Sequence, residues 1–192
     1  LPAPDGSKGV WSQRCMAWHD GGPDEWLPSP FRADCNAMSA EAFYEYGLLS
    51  GDAAWCDRAE KVAATLIAHQ YDDSSRASFG GFPWLYENSD AIFFWDDNCR
   101  ICMALLRLYA WTVKRAYLEA ALRSGELFRQ VAREDGCVWN HVISRSELDA
   151  LGRAAYRARS MGPGGASFDA MRWYTLAALT GESLPKARAA EA

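Results

Sequence analysis

The feature that most constrains the fold is a recurring pair of helix patterns, one apolar on almost every side and the next amphipathic. Residues 99–113 leave almost no polar face, which predicts a helix buried nearly all round. From Leu118 to Phe128, apolar residues recur at helical spacing between charged ones, which predicts a helix with one buried side. The same order occurs earlier, at residues 38–49 and 55–66. The pattern therefore predicts an inner layer of apolar helices within an outer layer of amphipathic ones.

Short turns separate the two helices of each pair. They are Ser50-Gly51-Asp52 and Val113-Lys114-Arg115, and a third turn, Thr180-Gly181-Glu182, follows another apolar stretch at residues 171–179. We expect helices at 37–49, 53–69, 98–113, 115–132 and 167–180, the odd-numbered ones inside. Long loops are expected at 71–95 and 134–165, and such loops often carry function.

The fold class that these patterns indicate is an all-α toroid of helical hairpins. Residues 1–192 are expected to form a single domain. About two and a half hairpins are predicted, which favours a piece of a longer repeating array. The apolar faces of residues 38–49 and 171–179 would then be uncovered, and association through these faces is expected.

Composition excludes several classes of partner. The chain has 192 residues and a formal net charge of −5. Lys and Arg never occur in runs longer than two residues, which argues against binding to nucleic acid or to an anionic membrane. No apolar run approaches the roughly 18 residues that a membrane span needs. We expect neither a nucleic-acid nor a membrane partner.

The six cysteines favour reduced thiols rather than a disulfide framework. Cys56, Cys99 and Cys102 fall within helix patterns, where Cys behaves as a small hydrophobic residue. The Cys99/Cys102 pair lacks the preceding strand of a thioredoxin-type motif. His19 and Asp20 hint at a metal, but two ligands without a third do not make a site. We expect no metal and no cofactor, and a cytoplasmic setting is slightly favoured over secretion.

Two adjacent carboxylates, Asp96 and Asp97, lie where the predicted loop becomes the predicted helix. Phe93-Phe94-Trp95 precedes them and Asn98 follows. One interpretation is a pair of carboxyl groups for acid/base chemistry on a sugar. The other is an ordinary helix cap formed by Asp97 or Asn98, with Asp96 in solvent. Asp34 or Asn36 is expected to cap an earlier helix in the same way.

Aromatic residues crowd the loop before this pair. Trp84 and Trp95 are candidate platforms for sugar rings, since aromatic faces cover the C–H faces of sugars well. A loop that folds onto its own aromatic cluster is the alternative. Trp139 and His141 open the next long loop, and the repeat predicts that they reach the same rim. The candidate substrate contacts are Trp84, Trp95, Tyr86, Asn98, Trp139 and His141.

The segment Trp95-Asp96-Asp97-Asn98, followed by residues 104–109 and by Tyr117-Leu118-Glu119-Ala120-Ala121, resembles the six-hairpin (α/α) glycosidases. Within this superfamily it looks most like the endo-α-1,6-mannanase family, glycoside hydrolase family 76. The good match covers about 40 residues, which is within the scale of a single repeat unit. The resemblance implies hydrolysis of a mannan-like, α-linked glycan, with Asp96 and Asp97 as the two carboxylates of a retaining mechanism.

Two other classes of function stay open. One is a sugar epimerase or unsaturated-uronide hydrolase on the same scaffold, although three His in the chain offer little for an epimerase. The other is a non-catalytic module that binds carbohydrate, or docks to a protein, through its aromatic loops. In each case the expected ligand is a carbohydrate or a protein surface.

Overall fold

The computed structural model describes Gly9 and residues 31–86, 92–132 and 142–159. The described chain is mostly helical, as predicted. Its helices and strands, in chain order, are α1 (Ala33–Ser50), α2 (Ala53–Ala68), β1 (Ile92–Phe94), α3 (Trp95–Thr112), α4 (Arg115–Val131), β2 (Val142–Ser144), α5 (Arg145–Leu151) and α6 (Arg153–Arg159). The expected helix at 167–180 and its turn lie outside the described residues.

The two predicted hairpins are confirmed. α1 ends at Gly51, whose φ of 72° lies in the left-handed region that glycine tolerates. The Asp52 side chain then accepts a hydrogen bond from the Ala54 backbone N–H at 3.0 Å and caps α2. At the equivalent place in the second hairpin, Val113 adopts a φ of 56°, which is strained for a β-branched residue.

α1 and α3 pack against each other, α2 packs on α1, and α4 packs on α3. The core between them is built from small and branched apolar side chains, including Ala37, Val62, Leu66, Ile101, Leu105, Leu108 and Ala121. The expectation that α3 is buried nearly all round is wrong, because Arg107 and Ala110 are exposed. Arg107 instead pairs with Glu41 of α1 across the helix interface.

α1 also departs from the inner-helix prediction. Residues 33–37 are buried, but Met38 is exposed, as are Tyr46 and Leu48 in the second half of the helix, and Leu49 is 81% exposed. These side chains are part of the uncovered face that the sequence predicted. On α4 the buried stripe runs through Tyr117, Ala120, Ser124, Leu127 and Val131. Leu122, one of the apolar residues in the amphipathic pattern from Leu118 to Phe128, is instead exposed.

The segment predicted as a long loop at 134–165 contains regular structure. β2 pairs antiparallel with β1, with Ile92 opposite Ser144 and Phe94 opposite Val142. The Ser144 hydroxyl accepts a hydrogen bond from the Glu147 N–H at 3.1 Å and caps the N-terminus of α5. This bond is one of the two that form a capping box. A second core cluster then joins α3, α4, α5 and α6 through Trp95, Phe128, Val131, Ile143, Leu148 and Tyr156.

The segment 71–86 is held from both sides. Arg153 of α6 donates to the backbone carbonyls of Ala77 at 2.7 Å and Phe79 at 2.9 Å. Gly80, at a φ of 89°, lies so close to α4 that an added Cβ would come within 2.4 Å of the Arg123 carbonyl oxygen. The end of the segment bridges to the start of α1, since the Ala33 N–H donates to Trp84 O at 3.0 Å. This bridge places Trp84 beside the first turns of α1 and α3.

Candidate functional site

The first turns of α1 and α3 bring five charged side chains together. Arg32 donates two hydrogen bonds to Asp34, through Nε to Oδ1 at 3.0 Å and Nη2 to Oδ2 at 2.8 Å. The same Nη2 lies 3.3 Å from Asp97 Oδ2. Arg100 Nη1 lies 3.0 Å from Asp97 Oδ1, and its Nη2 lies 3.1 Å from Asp96 Oδ2. Three carboxylates and two guanidiniums therefore share one cluster, which we call the carboxylate–arginine cluster.

The two adjacent carboxylates occupy unequal environments. The Asp96 side chain is 41% exposed, whereas that of Asp97 is 6% exposed. Burial and the nearby charges of Asp34 and Asp96 raise the pKa of Asp97 to about 7, against the opposing effect of Arg32 and Arg100. Asp97 is thus a carboxyl group that is partly protonated near neutral pH, and its neighbour Asp96 is accessible to solvent.

Neither Asp97 nor Asn98 caps the helix. α3 begins at Trp95, its N-cap residue is Phe94, and no side chain caps it. Asp96 and Asp97 lie in the first turn, where a negative charge interacts favourably with the helix dipole. The capping interpretation is wrong for α1 as well, because Arg32 is the N-cap residue and Asp34 lies in the first turn.

Asn98 is engaged by the protein itself. Its Oδ1 accepts from the Phe82 N–H at 2.8 Å, and its Nδ2 donates to the Phe82 carbonyl at 3.1 Å. Both residues are buried. Asn98 was expected among the substrate contacts, but its position instead makes it the side chain that joins α3 to the segment 71–86.

The predicted aromatic platforms separate into two groups. Trp84 is half-buried, packs edge-on against Phe94 with 5.1 Å between ring centroids, and has the Arg32 guanidinium 5.7 Å from its ring centre. It therefore lies at the carboxylate–arginine cluster. Trp95, expected as the second platform, is 3% exposed, and its indole N–H donates to the Tyr156 hydroxyl at 2.6 Å. In this position Trp95 is a core residue rather than a sugar platform.

Tyr86 lies further from the carboxylates. Its half-buried ring stacks on His69 with 4.2 Å between centroids. Its backbone N–H donates to the Phe31 carbonyl at 3.1 Å, as part of the bridge that also positions Trp84. Trp139 and His141 lie outside the described residues.

No group of His, Cys, Asp or Glu side chains within residues 31–86, 92–132 and 142–159 is arranged to hold a metal ion. In the same part of the chain, no helix has the length and apolar character needed to cross a membrane.

Cys35, beside the cluster, is buried, and this burial together with the charge of Asp34 raises its pKa to about 12. Its thiol therefore stays protonated at neutral pH, which makes it a poor nucleophile.

Three members of the cluster, Arg32, Asp34 and Arg100, were missed as site residues by sequence reasoning. Asp34 was interpreted as a cap, and Arg32 was given no role. One pattern in the sequence does indicate these residues, because an Asp lies two or three residues from an Arg near the start of each predicted inner helix. The pairs are Arg32 with Asp34, and Asp97 with Arg100. That the two groups meet depends on the packing of α1 against α3, which a local pattern does not contain.

Comparison with known proteins adds no family to this geometry. No family model matches the sequence, and no curated protein matches it either.

Proposed function

We propose that this chain carries part of the active site of a glycoside hydrolase built from helical hairpins of the (α/α) toroid type. Its substrate would be an α-linked, mannan-like polysaccharide or oligosaccharide. The observation that supports this most is the pair of adjacent carboxylates in unequal environments, Asp96 and Asp97, with the half-buried Trp84 at the same helix ends. Glycosidases require one protonated and one ionised carboxyl group at the same pH.

The unequal environments suggest a division of roles. Asp97, with a pKa raised to about 7 by burial and neighbouring carboxylates, is the proton donor to the glycosidic oxygen. Asp96, which is more exposed, is the carboxylate that attacks the anomeric carbon as the bond to the leaving group breaks. In the second step Asp97 takes a proton from water, and the hydroxide oxygen displaces Asp96 to release the sugar. Each carboxylate ends the cycle in its starting state.

Trp84 supplies a surface for the sugar in this proposal. Its ring is half-buried and is fixed by Phe94 and by the backbone bridge to Ala33. A platform held on two sides loses little conformational entropy when a ligand binds.

The toroid arrangement is supported by the packing of hairpin α1–α2 on hairpin α3–α4 through α1 and α3.

One observation favours a non-catalytic carbohydrate-binding module instead. Arg100 contacts both Asp96 and Asp97, so each carboxylate already has a cationic partner without any substrate. In that case the cluster would present fixed charges to a glycan that Trp84 holds, and no bond would be cleaved.

The decisive experiment compares Asp96→Asn and Asp97→Asn in the full-length protein, assayed on α-1,6-mannan oligosaccharides and on a panel of other glycans. We expect turnover of the responsive glycan to fall by about 10²–10⁴-fold or more in each variant, because each carboxylate acts in the chemistry. Asp73→Asn is the matched control, since Asp73 also pairs with an Arg three residues on, at 3.4 Å, but on the exposed surface.

Three other results are informative. Wild-type turnover in both Asn variants would remove Asp96 and Asp97 from the mechanism. Binding without cleavage, lost on Trp84→Ala, would establish the binding module. Product analysis by NMR of the anomeric proton would show whether configuration is retained, as the proposed double displacement requires.

A further inference from the structure

Arg32 is shared unequally between two carboxylates. It contacts Asp34 through two nitrogens, Nε at 3.0 Å and Nη2 at 2.8 Å, which is the two-point geometry that arginine forms best with a carboxylate. It contacts Asp97 through Nη2 alone, at 3.3 Å and 3.5 Å to the two oxygens. The second partner therefore receives only the weaker, one-sided contact.

We propose that Asp34 is a positioning residue of this site, which holds the Arg32 guanidinium in a two-point pair and thereby keeps it from forming such a pair with Asp97. The proposal rests on the proposed function, in which Asp97 must carry a proton. A carboxylate in a two-point pair with arginine is held in its ionised form. Asp34 thus leaves Asp97 able to act as an acid, although two cations lie beside it.

The charged groups around Asp97 set the direction of the expected effect. From α1 and the residue before it come Arg32, Asp34 and the Cys35 thiol, and from α3 come Asp96 and Arg100. Burial and the two acids raise the pKa of Asp97, while the two arginines lower it. Replacing Asp34 by Asn leaves the burial in place, removes one acid and releases Arg32, so the last two changes act together to lower the pKa.

A purely structural role for Asp34 is the competing explanation. Asp34 lies in the first turn of α1, where an acidic residue favours the helix dipole. Its removal would therefore reduce stability in either case, and a stability measurement alone would not distinguish the two roles. The pKa of Asp97, measured with and without Arg32, does distinguish them, because a dipole contribution to folding does not act through Arg32.

The test is an NMR titration of the Asp97 carboxyl carbon in the full-length protein, assigned by comparison with Asp97→Asn. In Asp34→Asn we expect the pKa of Asp97 to fall by about 1–3 pH units, the usual effect of an adjacent opposite charge. In Asp34→Glu, which keeps the charge, it should stay near the wild-type value. An unchanged or raised pKa in Asp34→Asn would overturn the proposal. Asp34→Ser is a second neutral variant if Asp34→Asn does not fold.

A double-mutant cycle with Arg32→Gln isolates the positioning effect. If Asp34 acts by holding Arg32, the fall in the Asp97 pKa should be clearly smaller when Arg32 is already absent, and the remaining fall is due to the loss of the Asp34 charge itself. Asp34 also lies 3.8 Å from Arg100, through Oδ2 and Nη1. An equal fall in both backgrounds would therefore mean that Asp34 acts through its own charge or through Arg100, and the proposed positioning of Arg32 would be wrong.

The titration uses no substrate, so it can fail or succeed independently of the glycosidase proposal. If a glycan is cleaved, the high-pH limb of kcat/KM should move to lower pH in Asp34→Asn by the same amount as the titration, because a general acid must be protonated to act. If no glycan is cleaved but the pKa falls as expected, the proposed function fails and the role of Asp34 stands.

Discussion

Asn98 offers the sharpest test of a structural role against a ligand-binding one. Its side chain accepts from the Phe82 N–H at 2.8 Å and donates to the Phe82 carbonyl at 3.1 Å. Phe82 is fully buried, so no water is expected to replace these bonds. Asn98→Ala would leave two buried backbone groups without partners, at about 1–3 kcal/mol each.

The expected loss in the free energy of unfolding is therefore about 2–6 kcal/mol, a large part of the roughly 5–15 kcal/mol that a domain typically has. Asn98→Asp should also be strongly destabilising, because a carboxylate can accept from the Phe82 N–H but cannot donate to its carbonyl. Urea denaturation followed by circular dichroism measures both variants. Asp57→Ala, on the exposed side of α2, is the surface control and should change stability by less than about 0.5 kcal/mol.

A loss below about 1 kcal/mol for Asn98→Ala would refute this reasoning, since it would fall short of even one buried, unpartnered group. If glycan affinity fell at the same time, the role of Asn98 as a substrate contact would be restored.

Three further predictions concern the backbone and the buried acid. Val113→Gly should stabilise the protein by about 0.5–1 kcal/mol, because Val113 is 71% exposed and has a left-handed backbone conformation that is strained for valine. Gly51→Ala, at the equivalent turn, should destabilise the protein. Equal melting temperatures for the wild type and both variants would contradict the two predictions. Gly80→Ala should cost more than about 1 kcal/mol, because its φ is 89° and its new Cβ would clash with the Arg123 carbonyl; a neutral result in urea would contradict the close packing. Asp97, whose pKa is raised to about 7 from an ordinary 3.8, binds a proton more tightly in the folded state, so it should make the protein less stable as pH rises from about 4 to 7. Relative to Asp97→Asn, wild-type stability should fall across this window and then level off, and a relative gain with rising pH would show that the sign is wrong.

The hairpins could be predicted because their signals are local. The apolar spacing of α2 and α4 and the turns at Gly51 and Val113 appear within a few consecutive residues. The starts of α1 and α3 were placed too late, at 37 and 98 rather than at Ala33 and Trp95. Polar residues at these positions resemble caps, but here Asp97 and Asn98 are buried and have partners outside α3, in Arg32 and Phe82.

Other features depend on contacts that are distant in sequence. The start of α5 carries a Ser144-x-x-Glu147 pattern, which is typical of a helix N-terminus. The remainder of α5 and α6 is held by tertiary bonds, such as those from Ser78 to Asp149 at 2.7 Å and 3.1 Å. At the site, Trp84 contacts Phe94 at the start of α3, where Asp96 and Asp97 lie. Asn98 and Trp95, predicted as substrate contacts, are buried, because burial is set by the whole fold.

The burial of three thiols has a practical consequence for labelling experiments. Cys35, Cys99 and Cys102 are buried in the described structure, and the pKa of Cys35 is raised to about 12 by that burial and by Asp34. Because the thiolate is the form that reacts with maleimides and iodoacetamides, these cysteines should be modified only when α1 or α3 opens. In the folded protein, these three cysteines would therefore not compete for the dye with a new surface cysteine on α2 or α4. The rate at which Cys35 becomes modified would report how often water enters the carboxylate–arginine cluster.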